Sequence, residues 1–213
     1  MQALVSRRQD NVKAAANIRW LCEHSHAHLH VDLIAGLPGE NVASFARGFD
    51  QLVTLKPHEI QFGILKRLRG TPIIRHTGQF GMLFDPYPPY TILATSDIDF
   101  GTMLRLVRFA RYWDLVANSG RFVHTIAQML GAAPFDNFMA FSDWIYSQTD
   151  ATHRIALDRL ARLVCQWLQV RGMDQAAATA LLASDVAGRV DTKPDKAGPA
   201  AAAPQRQVRH LAA

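Results

Sequence analysis

Apolar and polar positions recur with two different periods between Asp10 and Lys66. The segment DNVKAAANIRWLCEH places Val12, Ala15, Ile18 and Cys22 near one side of a helix, with Asp10 or Asn11 able to cap its start. LHVDLIAGL then runs apolar and stops at Pro38-Gly39, the signature of a buried strand. NVASFARGFDQLVTLK returns to helical spacing, with Phe45, Phe49, Leu52 and Val53 on its inner face and Pro57 at its end. EIQFGILK predicts a second strand. Helix–strand–helix–strand with short links is the grammar of a parallel α/β unit. Both strands read as apolar on both faces, so both expect strand neighbours and helix cover.

Beyond LRGTP the pattern changes. FGMLFDPYPPYTILATSD is rich in Pro and Tyr and predicts a long ordered loop. From Asp97 onward helical spacing takes over. DFGTMLRLVRFARYWDLVAN is expected to bury Leu104, Val107, Tyr112 and Leu115 and to stop at Ser119-Gly120. RFVHTIAQML, FDNFMAFSDWIYSQ, HRIALDRLARLVCQWLQVRG and DQAAATALLASDV continue the helices, with Leu157, Leu160, Val164 and Leu168 on one face. DTKPDKAGPAAAAPQRQVRHLAA is biased to Pro, Ala and Lys and is expected to be disordered. The expected fold class is α/β followed by all-α. Residues 1–75 form the α/β part, 76–96 a connecting loop, 97–187 a helical domain and 188–213 a tail.

Composition narrows the class. A chain of 213 residues can build one medium or two small domains with a real core. Hydrophobic residues at 49% and charged residues at 19% are an ordinary globular balance. No apolar run approaches the ~20 residues of a membrane helix, and MQALVSRRQD lacks the apolar stretch of a signal peptide. The two cysteines, Cys22 and Cys165, make neither a disulfide framework nor a Cys-rich metal site. A cytoplasmic chain with no membrane partner is the expectation. Of the net charge of +5, five Lys/Arg against two Asp from Arg189 onward contribute +3, which leaves +2 for the body. Nucleic acid is therefore not an expected partner, since it asks for a basic face on the folded domain.

The candidate chemistry is concentrated around the first strand. His24, His26, His28 and His30 fall at every second position, and adjacent imidazoles on one extended face can bind zinc or nickel. Catalytic metal sites draw ligands from several elements, and four such histidines do not easily wrap one ion. A solvated loop running into a strand is the expectation, with no metal site. Parity puts His30, Asp32, Ile34 and Gly36 on one face of the strand and Val31, Leu33 and Ala35 on the other. A carboxylate in an otherwise apolar strand is costly unless partnered, and the C-terminal ends of parallel strands line ligand sites. Asp32 is thus a candidate ligand contact or, equally, a structural Asp capping a neighbouring loop. The arginines of SRRQD serve an anionic ligand or simply solvate a loop. GLPGE lacks the Lys-Ser/Thr of a P-loop and reads as a tight strand-to-helix turn. NSGRF, at 118–122, reads as a helix stop followed by a new start.

VSRRQDNV, HVDLIAGLPGENVASFARGF and LKPHEIQFGILKRLRGTPI resemble the second half of the radical S-adenosylmethionine (SAM) barrel. The branch most resembled is the cobalamin-binding radical SAM proteins of the anaerobic magnesium-protoporphyrin monomethyl ester cyclase-like type. Their oxygen-independent coproporphyrinogen oxidase relatives share the DLI-x-GLP strand. YPPYTILATSDIDF and NSGRFVHTI resemble the helical C-terminal domain of unknown function (DUF4080-like) that follows the barrel in that branch. The resemblance implies a partial (βα) barrel over residues 1–75, made of its last two strands with their helices. It implies that Arg7 and Asp32 contact SAM, a guanidinium suiting the methionyl carboxylate and an aspartate suiting ribose hydroxyls or an ammonium. Ile34 would pack on adenine, Gly36 would belong to the same wall, and the backbone around Leu65 and Lys66 would complete the adenine pocket. Ser6 stands where many relatives have Asn.

Radical SAM chemistry also needs a CxxxCxxC loop to hold a [4Fe-4S] cluster, and the chain has none. The resemblance implies a chain that begins at about the fourth barrel strand, a fragment that supplies part of the SAM wall without being catalytic alone. Its partner would be the N-terminal half of the barrel, in cis or in trans. That half would bring the cluster and, where used, cobalamin, to act on an unknown small-molecule substrate. The alternatives are a non-catalytic helical interaction module with a vestigial half-barrel, and a small nucleic-acid binder supported only by the basic charge.

Overall fold

The computed structural model describes residues 4, 5 and 9–187. Arg7, with its neighbours Ser6 and Arg8, and the tail expected at 188–213 lie outside the described residues. The fold is mixed α/β and mostly helical, with seven α-helices and two small sheets among the described residues.

Asp10 is the residue that caps α1 (Asn11–His24), its carboxylate accepting from the backbone N–H of Val12 and Lys13, each at 3.0 Å. β1 (His30–Ala35) follows. α2 (Val42–Leu55) starts with a reciprocal capping box between Asn41 and Ser44 and stops at Lys56, which takes a left-handed conformation just before Pro57. β2 (Glu59–Ile64) returns beside β1, parallel and in register from His30 opposite Glu59 to Ala35 opposite Ile64. The predicted βαβ unit is present.

The two faces of this sheet differ, contrary to the expectation of strands apolar on both sides. Val31, Leu33 and Ala35 lie opposite Ile60, Phe62 and Ile64 on the face that packs on the helices. His30, Asp32 and Ile34 lie opposite Glu59, Gln61 and Gly63 on the other face, where His30, Asp32 and Gln61 are exposed. The reason is parity: the polar residues of each strand fall on alternate positions, and the register aligns them. Among the described residues no further strand pairs with the outer edge of β1.

The predicted loop contains a hairpin. β3 (Leu83–Phe84) and β4 (Ile92–Ala94) pair antiparallel and bury Phe84 and Ile92. The hairpin is stitched onto the end of β2, because Ile92 donates its N–H to the Leu65 carbonyl at 2.9 Å and Lys66 bridges Thr91. Strands of two and three residues are too short to leave a periodic signal.

The helices are α3 (Phe100–Val116), α4 (Val123–Leu130), α5 (Pro134–Thr149), α6 (Leu157–Val170) and α7 (Gln175–Ala187). The face of α3 matches the expected one only in part: Tyr112 is buried as expected and Leu115 packs against the core. Met103, Leu106, Phe109, Tyr112, Trp113 and Val116 are buried, whereas Leu104 and Val107 are about two-fifths exposed. Two apolar stripes run along this helix, and tertiary packing selects the aromatic one because it buries more area. In α6 the expected Leu160, Val164 and Leu168 are buried and joined by Leu163 and Trp167, while Leu157 is partly exposed.

The sheet and the helices share one core. Phe45 and Phe49 of α2 and Phe62 of β2 meet Phe109 and Trp113 of α3 and Phe135 of α5 in a cluster of mostly edge-on or tilted rings. Each buried Phe contributes about 1.5–3 kcal/mol through area alone. Polar contacts fix the registration. Asp50 of α2 accepts from the Phe135 N–H at 2.8 Å and so caps α5 from another element. Asp185 of α7 does the same for α4, accepting from the N–H groups of His124 and Thr125 and from the Thr125 hydroxyl.

Candidate functional site

The C-terminal end of β1 runs into the turn Gly36-Leu37-Pro38-Gly39-Glu40. Gly36 has φ +89°, and a Cβ there would come within 2.7 Å of the Ile92 side chain and 3.3 Å of Met103. Only glycine suits that position, both for the backbone and for the close approach of the hairpin. Glu40 folds back into the turn and accepts from the Gly36 N–H at 3.2 Å. It is buried. Burial raises its pKa to about 7, against the opposing pull of the Leu37 and Gly36 backbone N–H groups. The turn therefore already holds a carboxylate where a phosphate loop would hold its ligand, which agrees with a tight structural turn.

A cleft of about 1350 Å³ opens along the outer edge of β1, between it and α1. It brings together Asp32, Ile34, Leu65 and Lys66 of the sequence-predicted site. Asp32 is exposed on the open face, and no hydrogen bond or ion pair engages it among the described residues. Ile34 is half-buried and Lys66 exposed. Leu65 is more committed than expected. Its N–H donates to the Ala35 carbonyl and its own carbonyl accepts from Ile92, each at 2.9 Å, so its backbone serves the sheet. Gly36 sits behind the wall, facing Ile92 and Met103.

Residues that the sequence did not single out complete the cleft. Arg47 of α2 and Arg75 and His76 of a 3-10 turn at Pro72–His76 bring basic groups to it. His76 is buried, and both it and Arg75 reach the Leu4 carbonyl, at 2.7 and 3.1 Å. Glu40 also lines it. A carboxylate that ends a Gly-rich turn is the one signal that could have pointed there. The cleft thus combines one unengaged carboxylate, several cations and an apolar floor of Ile18, Leu33, Ile34 and Leu52.

Two other motifs resolve differently. Asn118 of NSGRF ends α3 and also reaches across to β2, its amide pairing with both backbone groups of Ile60. The alternating histidines separate. His24 stacks on Trp20 within α1, whereas His28 and His30 meet Glu59 at the N-terminal ends of the strands. Cys22 lies on α1 and Cys165 on α6, both as free thiols.

No helix among the described residues is long and apolar enough to cross a membrane. Comparison with curated proteins gives no match. The family described as protein of unknown function (DUF4080) matches residues 78–194, more than half of the chain, and the chain belongs to that family.

Proposed function

We propose that the chain is the C-terminal part of a radical SAM, B12-associated enzyme and supplies one wall of its SAM pocket. One observation carries this: among the described residues the sheet has an open polar face and an outer edge with no strand paired to it, beside a cleft. Such a face is what the interior of an incomplete (βα) barrel presents, since interior positions alternate with helix-packed ones along each strand. In support, α1 has no buried residue, and Val12 and Trp20 on it are largely exposed. A helix of that length normally owes its stability to a packed face. β1 and α1 would then take their missing neighbours from the N-terminal half of the barrel, in cis or in trans.

The residues present fit SAM by their chemistry. Asp32 would accept from ribose hydroxyls or from the ammonium, Ile34 would offer apolar contact to the base, and Lys66 would face the carboxylate. In the family that the strands resemble, SAM bound beside a reduced cluster supplies a hydrogen-abstracting radical. The [4Fe-4S] cluster itself does not fit this chain: two cysteines on separate helices cannot supply three thiolates. The chain's own part is to hold and orient the cofactor.

Co-expression with the cluster-bearing half of a related barrel tests this, with SAM binding measured by titration calorimetry. The complex is expected to bind SAM, and Asp32→Ala to weaken binding by about 1.5–3 kcal/mol, the value of a charge-assisted hydrogen bond. Unchanged binding in Asp32→Ala would remove the site, and tight binding by the isolated monomer would remove the need for a second half.

A further inference from the structure

We infer that His28 and His30 form a binding site for a divalent transition-metal ion, with Glu59 holding His30 in the ligating tautomer. The site lies at the N-terminal ends of β1 and β2, the opposite end of the sheet from the turn at Gly36. It is independent of the SAM proposal.

The sequence argues against a metal because four histidines on one extended run come from a single element. The fold changes that. The parallel register places Glu59 of β2 directly opposite His30 of β1. Ligand atoms of His28, His30 and Glu59 all lie within 4.8 Å of one another. Nδ1 of His28 and Nε2 of His30 face each other at 3.2 Å. Two nitrogens bound to one tetrahedral ion at about 2.0–2.1 Å stand roughly 3.3 Å apart, so the two rings already have the spacing of adjacent ligands.

The proton inventory agrees. Nδ1 of His30 is 2.9 Å from Glu59 Oε2 and 3.3 Å from the Gln61 amide nitrogen. The shorter, charged contact puts the proton on Nδ1, where it donates to the carboxylate. Nε2 of His30 then carries a lone pair, and in the metal-free chain His28 donates its Nδ1 proton to it. On metal binding the His28 proton moves to its own Nε2, and the ion takes the two facing lone pairs. Carboxylate, imidazole and metal then stand in the order that orients metal-bound histidines generally. His58 flanks the site, its ring 4.7 Å from that of His28. Its Nδ1 accepts from the Leu29 N–H, which leaves its proton on Nε2 and keeps it out of the ligand set. His24 is withdrawn by its bond to the Trp20 carbonyl. With two imidazoles and water completing the sphere, the expected order of affinity is Cu²⁺ above Ni²⁺ and Zn²⁺.

The full-length chain, without a purification tag and stripped with a chelator, is dialysed against Zn²⁺ or Ni²⁺, and bound metal is counted by elemental analysis. One equivalent is expected. His28→Ala and His30→Ala should each abolish it, Glu59→Gln should weaken it about 10–100-fold, and His24→Ala and His26→Ala should leave it unchanged. These side chains are exposed or half-buried, so the variants should keep the wild-type circular dichroism spectrum. No retained metal in the wild-type chain overturns the inference. So does a loss in His24→Ala or His26→Ala equal to that in His30→Ala, which would mark the run as an unstructured chelator. Full affinity in Glu59→Gln overturns the orienting role of Glu59.

Discussion

The side-chain amide of Asn118 pairs with the backbone of Ile60 as a neighbouring strand would: Oδ1 accepts from the Ile60 N–H at 3.2 Å and Nδ2 donates to the Ile60 carbonyl at 3.0 Å. Asp114 holds the same amide from one turn back in the helix, with Nδ2 donating to it at 2.9 Å. Among the described residues the outer edge of β2 is thereby closed at Ile60 by the end of α3 rather than by a strand. An unpaired edge invites association, and a residue that caps it locally is one way to limit that.

Replacing Asn118 with Ala should leave two half-buried backbone groups unpaired, at about 1–3 kcal/mol. Hydrogen exchange at the Ile60 amide should accelerate while the amides within α3 keep their protection. Asn118→Asp should be intermediate, since a carboxylate still accepts from the N–H but repels the Ile60 carbonyl. An unchanged Ile60 exchange rate in Asn118→Ala would show that water serves the edge as well.

Glu40 should make the stability of the fold depend on pH. Its pKa rises from 4.5 to about 7 on folding. Below pH 4.5 the carboxyl is neutral in both states and no penalty exists. Between 4.5 and 7 the unfolded chain ionises first, so stability falls as pH rises, and above 7 the loss levels off. The full shift corresponds to at most about 3 kcal/mol. Glu40→Gln mimics the protonated acid and should remove this decline. Denaturant titrations at pH 4.5 and pH 8 should show the variant gaining on wild type with pH; a gap independent of pH would contradict the assignment.

The aromatic junction between sheet and helices should be strongly coupled. Phe49 is fully buried, with its ring edge-on to Phe109 at 5.1 Å and to Trp113 at 4.8 Å. Phe49→Ala is expected to cost about 3–5 kcal/mol. Phe49→Leu and Phe109→Leu are milder, and their double-mutant cycle should report a coupling of about 0.5–1.5 kcal/mol. Additive losses in urea titrations would mean that the rings contribute through area alone.

Asp185 should be the most sensitive polar residue of the helical part. It is buried and accepts from His124 N at 2.7 Å, Thr125 N at 3.2 Å and the Thr125 hydroxyl at 2.5 Å. Its charge also faces the positive end of α4, whose own N-cap residue, Phe122, offers no side-chain bond. Asp185→Ala should lose about 3 kcal/mol, and Asp185→Asn less, because its amide oxygen still accepts. A thermal melt checks both, and equal losses in the two variants would rule out the graded effect.

The local pattern of the chain was enough to determined its elements where periodicity ran long. α1, β1, α2, β2 and the five later helices all follow from apolar spacing, caps and stops at Pro57 and Gly120, because those signals act within a few residues of where they are written. Family membership likewise rests on sequence alone. The tertiary structure decided everything that depends on which face wins. The register of β1 against β2 gathers the polar residues of both strands on one open side and sets Glu59 opposite His30. Packing turns α3 toward Phe109 and Trp113 instead of Leu104 and Val107. Asn118, Asp50 and Asp185 cap elements 58 to 85 residues away in the chain. Such pairings are chosen by the burial of side chains distant in sequence, and no local window of the chain contains both partners.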